Sequence, residues 1–371
     1  YKRQILILEN GRRLAGEDRY TRINVANIKR IEILNGAASA LYGSDAIGGV
    51  INIITDDARN TVNVSSYTHY SGEGRLTESV NADVNAGKFS SYTSYQRRQA
   101  GSWQNNNIDE NGYETGRPTS VGFYSNTVNQ RFVFNATDKL SFYARGTYYD
   151  NKTRRPQDAT YYAKSKGQFV QKDAYTYNLK HETYTYGAGM KYIINRSAYI
   201  DAEFYSDNYS SDYMYFKKSG NYLPGDRVTR KQERYYNGNI KGIFRLGSRN
   251  KLSAGVEYVN EGLESESDNI DSRHMYTLAF YAQDEIKLPL NLQAVLGIRY
   301  IYNENFKNYA TPNVSLMYKL GGLNLRAAYA AGFRTPTLSQ LYATDESKTS
   351  NRYTTSNVGL KPEKNNFYSL N

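Results

Sequence analysis

Three histidines, His69, His181 and His274, are the imidazoles available to this chain, and it has no cysteine. A thiol nucleophile, a thiolate metal site and a disulfide are therefore excluded. No Ser/His/Asp arrangement or paired-acid motif emerges to carry hydrolytic chemistry. Gly43, Gly48 and Gly49 cluster in one stretch, yet no Lys-Ser/Thr follows them and no G-x-G-x-x-G is present, so they do not read as a phosphate cradle. Glu264, Glu266, Asp268 and Asp271 form an acidic run whose spacing matches no known calcium loop, and no metal site is assigned. What remains is binding. Between Asn151 and Glu182 lie Lys152, Arg154, Arg155, Lys164, Lys166, Lys172 and Lys180 among several tyrosines. Cationic side chains steer a flat anionic chelate and aromatic rings stack on it. A solvated loop or a lipopolysaccharide contact would use the same residues.

The elements that must position such a mouth are strands. In "NLQAVLGIRY", Leu292, Ala294, Leu296, Ile298 and Tyr300 share one face, and Gln293, Val295, Gly297 and Arg299 the other. "KLSFYARGTYY", "NKLSAGVEY" and "LNLRAAYA" repeat the period. Asp284 breaks it, sharing parity with Phe280 and Ile286, which places it near a rim. From Thr61 onward about fourteen such segments follow, of a length that suits tilted membrane strands. Short connections ("NAGKF", "NATDK", "INRS", "LGSRN", "LPLN", "LGGL") alternate with long ones near Gly101–Ser125, Asn151–Glu182, Asp207–Gln232, Gly262–Arg273 and Gly332–Pro362. A soluble sandwich has no reason to put its long loops at one end, whereas an outer-membrane barrel does. No run of apolar residues is long enough for a transmembrane helix. The 38 tyrosines fit this wall, because a ring with a wet hydroxyl suits the lipid boundary. Tyr148, Tyr258, Tyr300, Tyr318 and Tyr329 end outward rows as a girdle requires. The net charge of +11 invites an anionic partner, but Arg and Lys alternate around the wall rather than forming one nucleic-acid-binding face.

Residues 1–57 read differently: a short strand and turn at "ILILENGRRL", a turn and strand around Ile23–Ile33, and a buried strand at "GGVINII". The stretch "IKRIEILNGAASALYGSDAIGGVINIIT" resembles the end of the plug domain of TonB-dependent outer-membrane receptors, with Asn35 where Arg is usual and Ala37 where Pro is usual. "YAAGFRTPTLSQLY" is similar to that family's F-R-A-P box, with Thr335 for Ala, and "NVGLKPE" to its N-P-N-L-K-P-E box, with Val358 and Gly359 for Pro and Asn.

The resemblance implies an all-β fold: a transmembrane antiparallel β-barrel, about fourteen of the family's 22 strands being present, with the C-terminal part of a plug domain in its lumen. The expected division is 1–57 plug and 58–371 barrel, as an internal portion of a longer receptor. It further implies active import across the outer membrane of a scarce metal chelate, haem or a ferric siderophore first and cobalamin second. No enzyme activity and no cofactor are expected. The implied partners are the TonB–ExbB–ExbD complex, outer-membrane lipid and lipopolysaccharide, the chelate itself and, as an addition, a surface lipoprotein; nucleic acid is not among them. Haem receptors usually place a histidine between the two boxes; here Tyr342 and Tyr353 are the residues there able to ligate ferric haem. Arg154, Arg155, His181, Arg334, Tyr342 and Tyr353 are therefore the expected ligand-binding residues, and Arg30, Glu32, Gly43, Gly48 and Gly49 the expected plug–barrel contacts. Glu32 is expected to pair with Arg299 or Arg326, and loss of one buried partner to cost roughly 3–5 kcal/mol.

Overall fold

The computed structural model describes residues 5–16, 21–35, 39–44, 46–55, 61–72, 74–103, 121–155, 160–165, 168–173, 176–347 and 352–371. Its first unit is a four-stranded sheet of β1 (Ile5–Glu9), β2 (Arg12–Arg13), β3 (Ile28–Asn35) and β4 (Gly49–Thr55), in the order β2-β1-β4-β3. Strand β1 runs parallel to β4, and β3 runs antiparallel to it. One turn of helix, α1 (Ser39–Tyr42), precedes β4. Leu6, Leu8, Ala46 and Val50 bury the face against which Tyr42 packs. Strand β3 is the open edge, with Ile31 and Ile33 exposed.

Fourteen strands make the second unit, a continuous antiparallel sheet. They are β5 (Val62–Ser71), β6 (Arg75–Ala86), β7 (Phe89–Trp103), β8 (Val121–Asn135), β9 (Leu140–Arg154), β12 (Tyr177–Asn195), β13 (Ala198–Tyr215), β14 (Arg227–Leu246), β15 (Asn250–Ser265), β16 (Ile270–Lys287), β17 (Leu292–Asn303), β18 (Lys307–Leu320), β19 (Leu323–Arg334) and β22 (Glu363–Leu370). Two hairpins decorate one end: β10 (Thr160–Ser165) with β11 (Gln168–Asp173), and β20 (Asp345–Ser347) with β21 (Arg352–Thr354). Among the described residues β5 and β22 are the sheet's two edges and do not pair with each other, so the barrel is not closed. The sheet nevertheless wraps the plug, which touches Ser79 in β6, Phe333 in β19 and Asn365 in β22.

Register turns the two-residue period into two chemically distinct surfaces. One row runs Phe134, Phe142, Met190, Ala202, Ile240, Val256, Phe280 and Tyr300 across eight consecutive strands, every partner directly opposite the next. Its large members are exposed on the outside. In water an apolar belt of this extent would drive association, whereas hydrocarbon satisfies it. Tyrosines border it in pairs: Tyr148 with Tyr184 at 5.2 Å, Tyr258 with Tyr276 at 6.2 Å and Tyr329 with Tyr368 at 5.1 Å between ring centres. Asp284 lies near the short-turn end of β16 and is held there by Asn250 Nδ2 at 2.6 Å. No helix among the described residues is long and apolar enough to cross a membrane.

The loop reading needs correction. Strand β13 continues through Asp207 to Tyr215, and β14 already begins at Arg227, so most of Asp207–Gln232 is sheet. Likewise β15 reaches Ser265 and β16 starts at Ile270, leaving a four-residue turn where the acidic run promised a loop. The cause is β-propensity: tyrosine, threonine and valine hold the ladder although no apolar period marks them. Among the described residues no group of three acidic or histidine side chains could hold a metal ion.

Candidate functional site at the plug–wall junction

On β13 the alternation puts Asp201, Glu203, Tyr205, Asp207 and Tyr209 inside the lumen, between outward Ala202, Phe204 and Asn208. Residues 12–16 of the plug climb this column step by step. Arg12 Nε donates to Glu203 Oε1 at 2.6 Å, the Arg13 amide to the Tyr205 hydroxyl at 3.1 Å, and the Ala15 amide to Asp207 Oδ2 at 2.6 Å. The Gly16 amide donates to Glu233 Oε2 at 2.9 Å on the next strand. Gly16 has φ +81, and a Cβ there would lie 2.4 Å from the Tyr209 ring, so only glycine lets the chain turn against that ring.

Arg22 returns to the same column. Its Nη2 lies 2.6 Å from Asp207 Oδ2, with side-chain exposures of 3% and 0%, and Thr185 Oγ1 donates to the same carboxylate. One buried acid thus gathers a guanidinium, a backbone amide and a hydroxyl, which pairs the two charges where water is excluded, while Arg22 Nε stays buried without a hydrogen bond. Farther along, Asn24 Nδ2 donates to Ser79 at 2.9 Å and Ser94 at 3.0 Å, Asn27 Nδ2 to Ser94 at 2.8 Å, and Gln96 Nε2 to Asn24 Oδ1 at 2.7 Å. Thr21 meets the Tyr149 hydroxyl at 2.9 Å. The seam is polar nearly throughout.

A second anchor surrounds α1. Gly43, at φ +76, would place a Cβ 3.3 Å from Arg299 Nη2, and Arg299 itself pairs with Glu257 and lies 5.4 Å from the centre of the Tyr281 ring. The Phe333 amide donates to Ser39 Oγ and the Thr335 amide to Ser44 Oγ, each at 3.2 Å. The segment "GFRTP" thereby closes over the small residues of "SALYGS", whose size permits the approach.

The sequence-predicted residues are dispersed. Arg154 is exposed at the end of β9 that carries the long connections, and Arg155 stacks over Tyr177 at 5.0 Å. His181 lies near the end of β12 that follows the long connection and faces inward: it is buried, with Nδ1 2.8 Å from the Tyr209 hydroxyl, directly above Gly16. Arg334 is buried too, bonded to Glu363 at 2.5 Å and Gln340 at 3.3 Å, where it staples α2 (Leu338–Tyr342) to β22. Tyr342 packs on Leu263 and Met275, with Arg273 4.9 Å from its ring centre. Tyr353 pairs with Glu346 in the β20–β21 hairpin, but its side chain, those of Lys164 and Lys172, and all of Lys166 lie outside the described residues. Seven strands separate Arg154 on β9 from Arg334 on β19.

Arg30 and Glu32 correct the expectation for the plug. Both lie on the open edge strand β3, away from the wall; Arg30 bonds Glu32 at 2.7 Å, and Asn52 donates to Glu32 at 3.1 Å. Arg299, the expected partner, is taken by Glu257. Those two bonds hold the Glu32 carboxyl below the usual carboxylate range, yet the pair is solvated. Glu32→Gln should therefore cost less than about 1 kcal/mol of plug stability in urea unfolding, not the larger penalty of a buried ion; a loss above 2 kcal/mol would contradict this placement. Of the glycines, Gly43 meets the wall, Gly49 is buried at φ +141 within β4, and Gly48 is exposed. Arg12, Arg22, Glu203 and Asp207 were missed. For the wall acids the signal was present: in "DAEFYSD" Asp201, Glu203 and Asp207 share one face of the strand with Tyr205, opposite Ala202, Phe204 and Ser206.

Between plug and wall lies a cavity of about 670 Å³, bounded by the two anchors and lined by Arg12, Tyr42, Tyr143, Arg145, Glu257 and Arg299. The chamber is charged, and the seam beside it combines hydrogen bonds with the buried side chains of Leu14 and Ile23.

Two family descriptions match this sequence: "TonB-dependent Receptor Plug Domain" over residues 2–50 and "TonB dependent receptor-like, beta-barrel" over residues 54–371. Among solved structures, a mutant of the ferric enterobactin receptor PfeA from Pseudomonas aeruginosa superposes with a TM-score of 0.80 at 17% identity, covering 99% of this chain and 60% of that one. The siderophore receptor PirA from Acinetobacter baumannii gives 0.74 at 18% identity, with 99% and 60% covered. The copper transporter OprC gives 0.75 at 11% identity, with 99% and 61% covered. The chain thus spans about 60% of the length of the structures it matches, and at these identities the likeness establishes the fold.

Proposed function

The chain belongs to the TonB-dependent receptors, and on that premise we propose that it is the plug-and-wall portion of an outer-membrane importer of an anionic ferric chelate, a siderophore. In this reading residues 1–57 are plug and 58–371 wall. TonB–ExbB–ExbD supplies the pull, outer-membrane lipid and lipopolysaccharide surround the belt, and a surface lipoprotein delivering cargo is an additional partner. The observation that carries the proposal is the polar seam: residues 12–16 and 21–27 are held to the wall by hydrogen bonds and ion pairs, contacts that water can replace one at a time under force. A permanent seal would be apolar, and an open pore would lack the stopper.

For the cargo, PfeA and PirA are receptors for ferric enterobactin and a siderophore, respectively. Arg154 and Arg155 beside Tyr177 offer a cationic, aromatic edge suited to a catecholate. Haem is the second reading. It is weakened by the bond between His181 and Tyr209, which engages the imidazole that haem would need. Cobalamin, being less anionic, gains least from these arginines.

Trp103, the single tryptophan, ends β7 at the end of the sheet that carries the long connections and serves as a reporter. A ferric catecholate should quench its fluorescence saturably, and Arg154→Ala with Arg155→Ala should weaken binding by roughly tenfold or more, about 1.4 kcal/mol. If haem alone binds, with an absorption shift abolished by His181→Ala, the siderophore reading fails.

A further inference from the structure

Among the described residues six short connections close one end of the wall, and each carries or adjoins a cation. Lys88 lies between β6 and β7, Lys139 between β8 and β9, Arg196 between β12 and β13, and Arg249 between β14 and β15. Lys287 ends β16, and Lys319 stands one residue from the end of β18. All six are exposed, and none pairs with a carboxylate among the described residues; Lys88 donates to the Ala136 carbonyl at 3.1 Å. Acids near this end are engaged elsewhere. Asn63 and Asn250 bond Asp83 and Asp284, Glu285 pairs with Lys251, and register sets Lys191 and Lys241 on either side of Asp201. Asp138 is the acid on the turns themselves. At the other end of the wall, by contrast, Lys180 lies 3.1 Å from Glu182, Arg230 2.8 Å from Asp212, Arg227 2.6 Å from Glu266 and Lys231 3.1 Å from Glu233.

Apolar side chains stand exposed beside the same cations: Phe89 next to Lys88, Ile194 near Arg196, Leu246 near Arg249, Leu288 next to Lys287 and Leu320 next to Lys319. Leu290 goes furthest, being 81% exposed and held at φ +59. A bulky side chain rarely adopts that left-handed backbone, and exposure to water gives nothing in return. We propose that these six cations form a docking surface for the phosphate headgroups of anionic phospholipids in the leaflet at the short-turn end. The inference rests on the outer-membrane reading above, but not on the identity of the cargo. Continuity with the apolar belt selects a lipid over a soluble polyanion. An acyl chain lying on the belt brings its phosphate to the turns, where the Lys and Arg stems cover the exposed leucines and carry their charge to the headgroup.

Spin-labelled phosphatidylglycerol and phosphatidylcholine are the probes, each added to phosphatidylcholine vesicles that hold the protein; the label slowed by the wall is read by electron spin resonance. The anionic label should be enriched at the wall roughly threefold or more over the zwitterionic one, and added salt should lower that ratio. The combined variant Lys88→Gln, Lys139→Gln, Arg196→Gln, Arg249→Gln, Lys287→Gln and Lys319→Gln should bring the ratio to about one. Its urea midpoint should match that of the unaltered chain, because all six side chains are exposed, so lost selectivity is not lost folding. Lys152→Gln with Arg234→Gln, at the opposite end, should keep most of the enrichment. Soluble glycerol phosphate should not compete, since it lacks the acyl chains that bring it to the turns. Equal slowing of both labels, or full enrichment in the six-site variant, would overturn the docking surface while leaving the membrane reading intact. No slowed lipid of either kind would sink both. Binding of a soluble polyanion through the six cations without any lipid preference would assign the surface to another partner and end the proposal.

Discussion

Asp207→Asn is expected to loosen the plug by about 3–5 kcal/mol, the cost of leaving a buried guanidinium without its counter-charge. Asp207 is fully buried and accepts from Arg22 at 2.6 and 3.1 Å, from the Ala15 amide at 2.6 Å, and from Thr185. Asparagine offers one acceptor and turns its amide N–H groups toward donors. Arg22, 3% exposed, has no route to water without withdrawing its own segment from the wall. Hydrogen exchange over residues 12–24 should therefore accelerate by two orders of magnitude or more, while the strands on the far side of the sheet stay protected. Replacing both partners with leucine should recover only part of the loss, since it removes the lone charge but leaves the Ala15 amide and the Thr185 hydroxyl without their acceptor. Unchanged exchange in Asp207→Asn would mean that Arg22–Asp207 does not anchor the plug.

Gly16→Ala should cost about 1–3 kcal/mol more than Gly11→Ala. Both glycines sit near φ +80, so both alanines bear the same left-handed strain of about 1–2 kcal/mol. A Cβ on Gly11 meets nothing within 4 Å, whereas on Gly16 it lies 2.4 Å from the ring of Tyr209. That ring is 2% exposed and bonded to His181, so it has nowhere to go without breaking the contact above the plug. Urea midpoints of the two variants isolate the packing contribution. Equal values would show that the ring gives way freely and that the apex of the plug is not held by it.

The wall was largely legible. Alternation on "KLSFYARGTYY" correctly sent Phe142 and Ala144 outward and Tyr143 and Arg145 inward, and every short turn named from Gly, Asn, Pro or Ser content ends a strand in the structure. The upper strand ends were not legible, because "YSSDYMY" and "HETYTY" alternate tyrosine with polar residues rather than apolar with polar ones, and so show no apolar period where the wall rises above its belt. Among binding candidates, Arg154 keeps an exposed position. His181 and Arg334 turn inward, because parity counted from one strand does not reveal how far a plug reaches up beside it.

What sequence determined by itself is therefore local. Covalent geometry sends successive side chains to opposite faces, so lipid contact writes itself into every second residue, and the plug motif marks a stopper. The choice of which plug cation meets which wall carboxylate belongs to the tertiary structure. Arg22 and Asp207 stand 185 residues apart, and Arg30 and Glu32, equally charged, lie on the open edge, where Arg30 bonds Glu32 and Glu32 also accepts from Asn52. Curvature of the sheet and depth of the plug bring distant groups within 3 Å, and neither quantity has a period that a chain of residues can display.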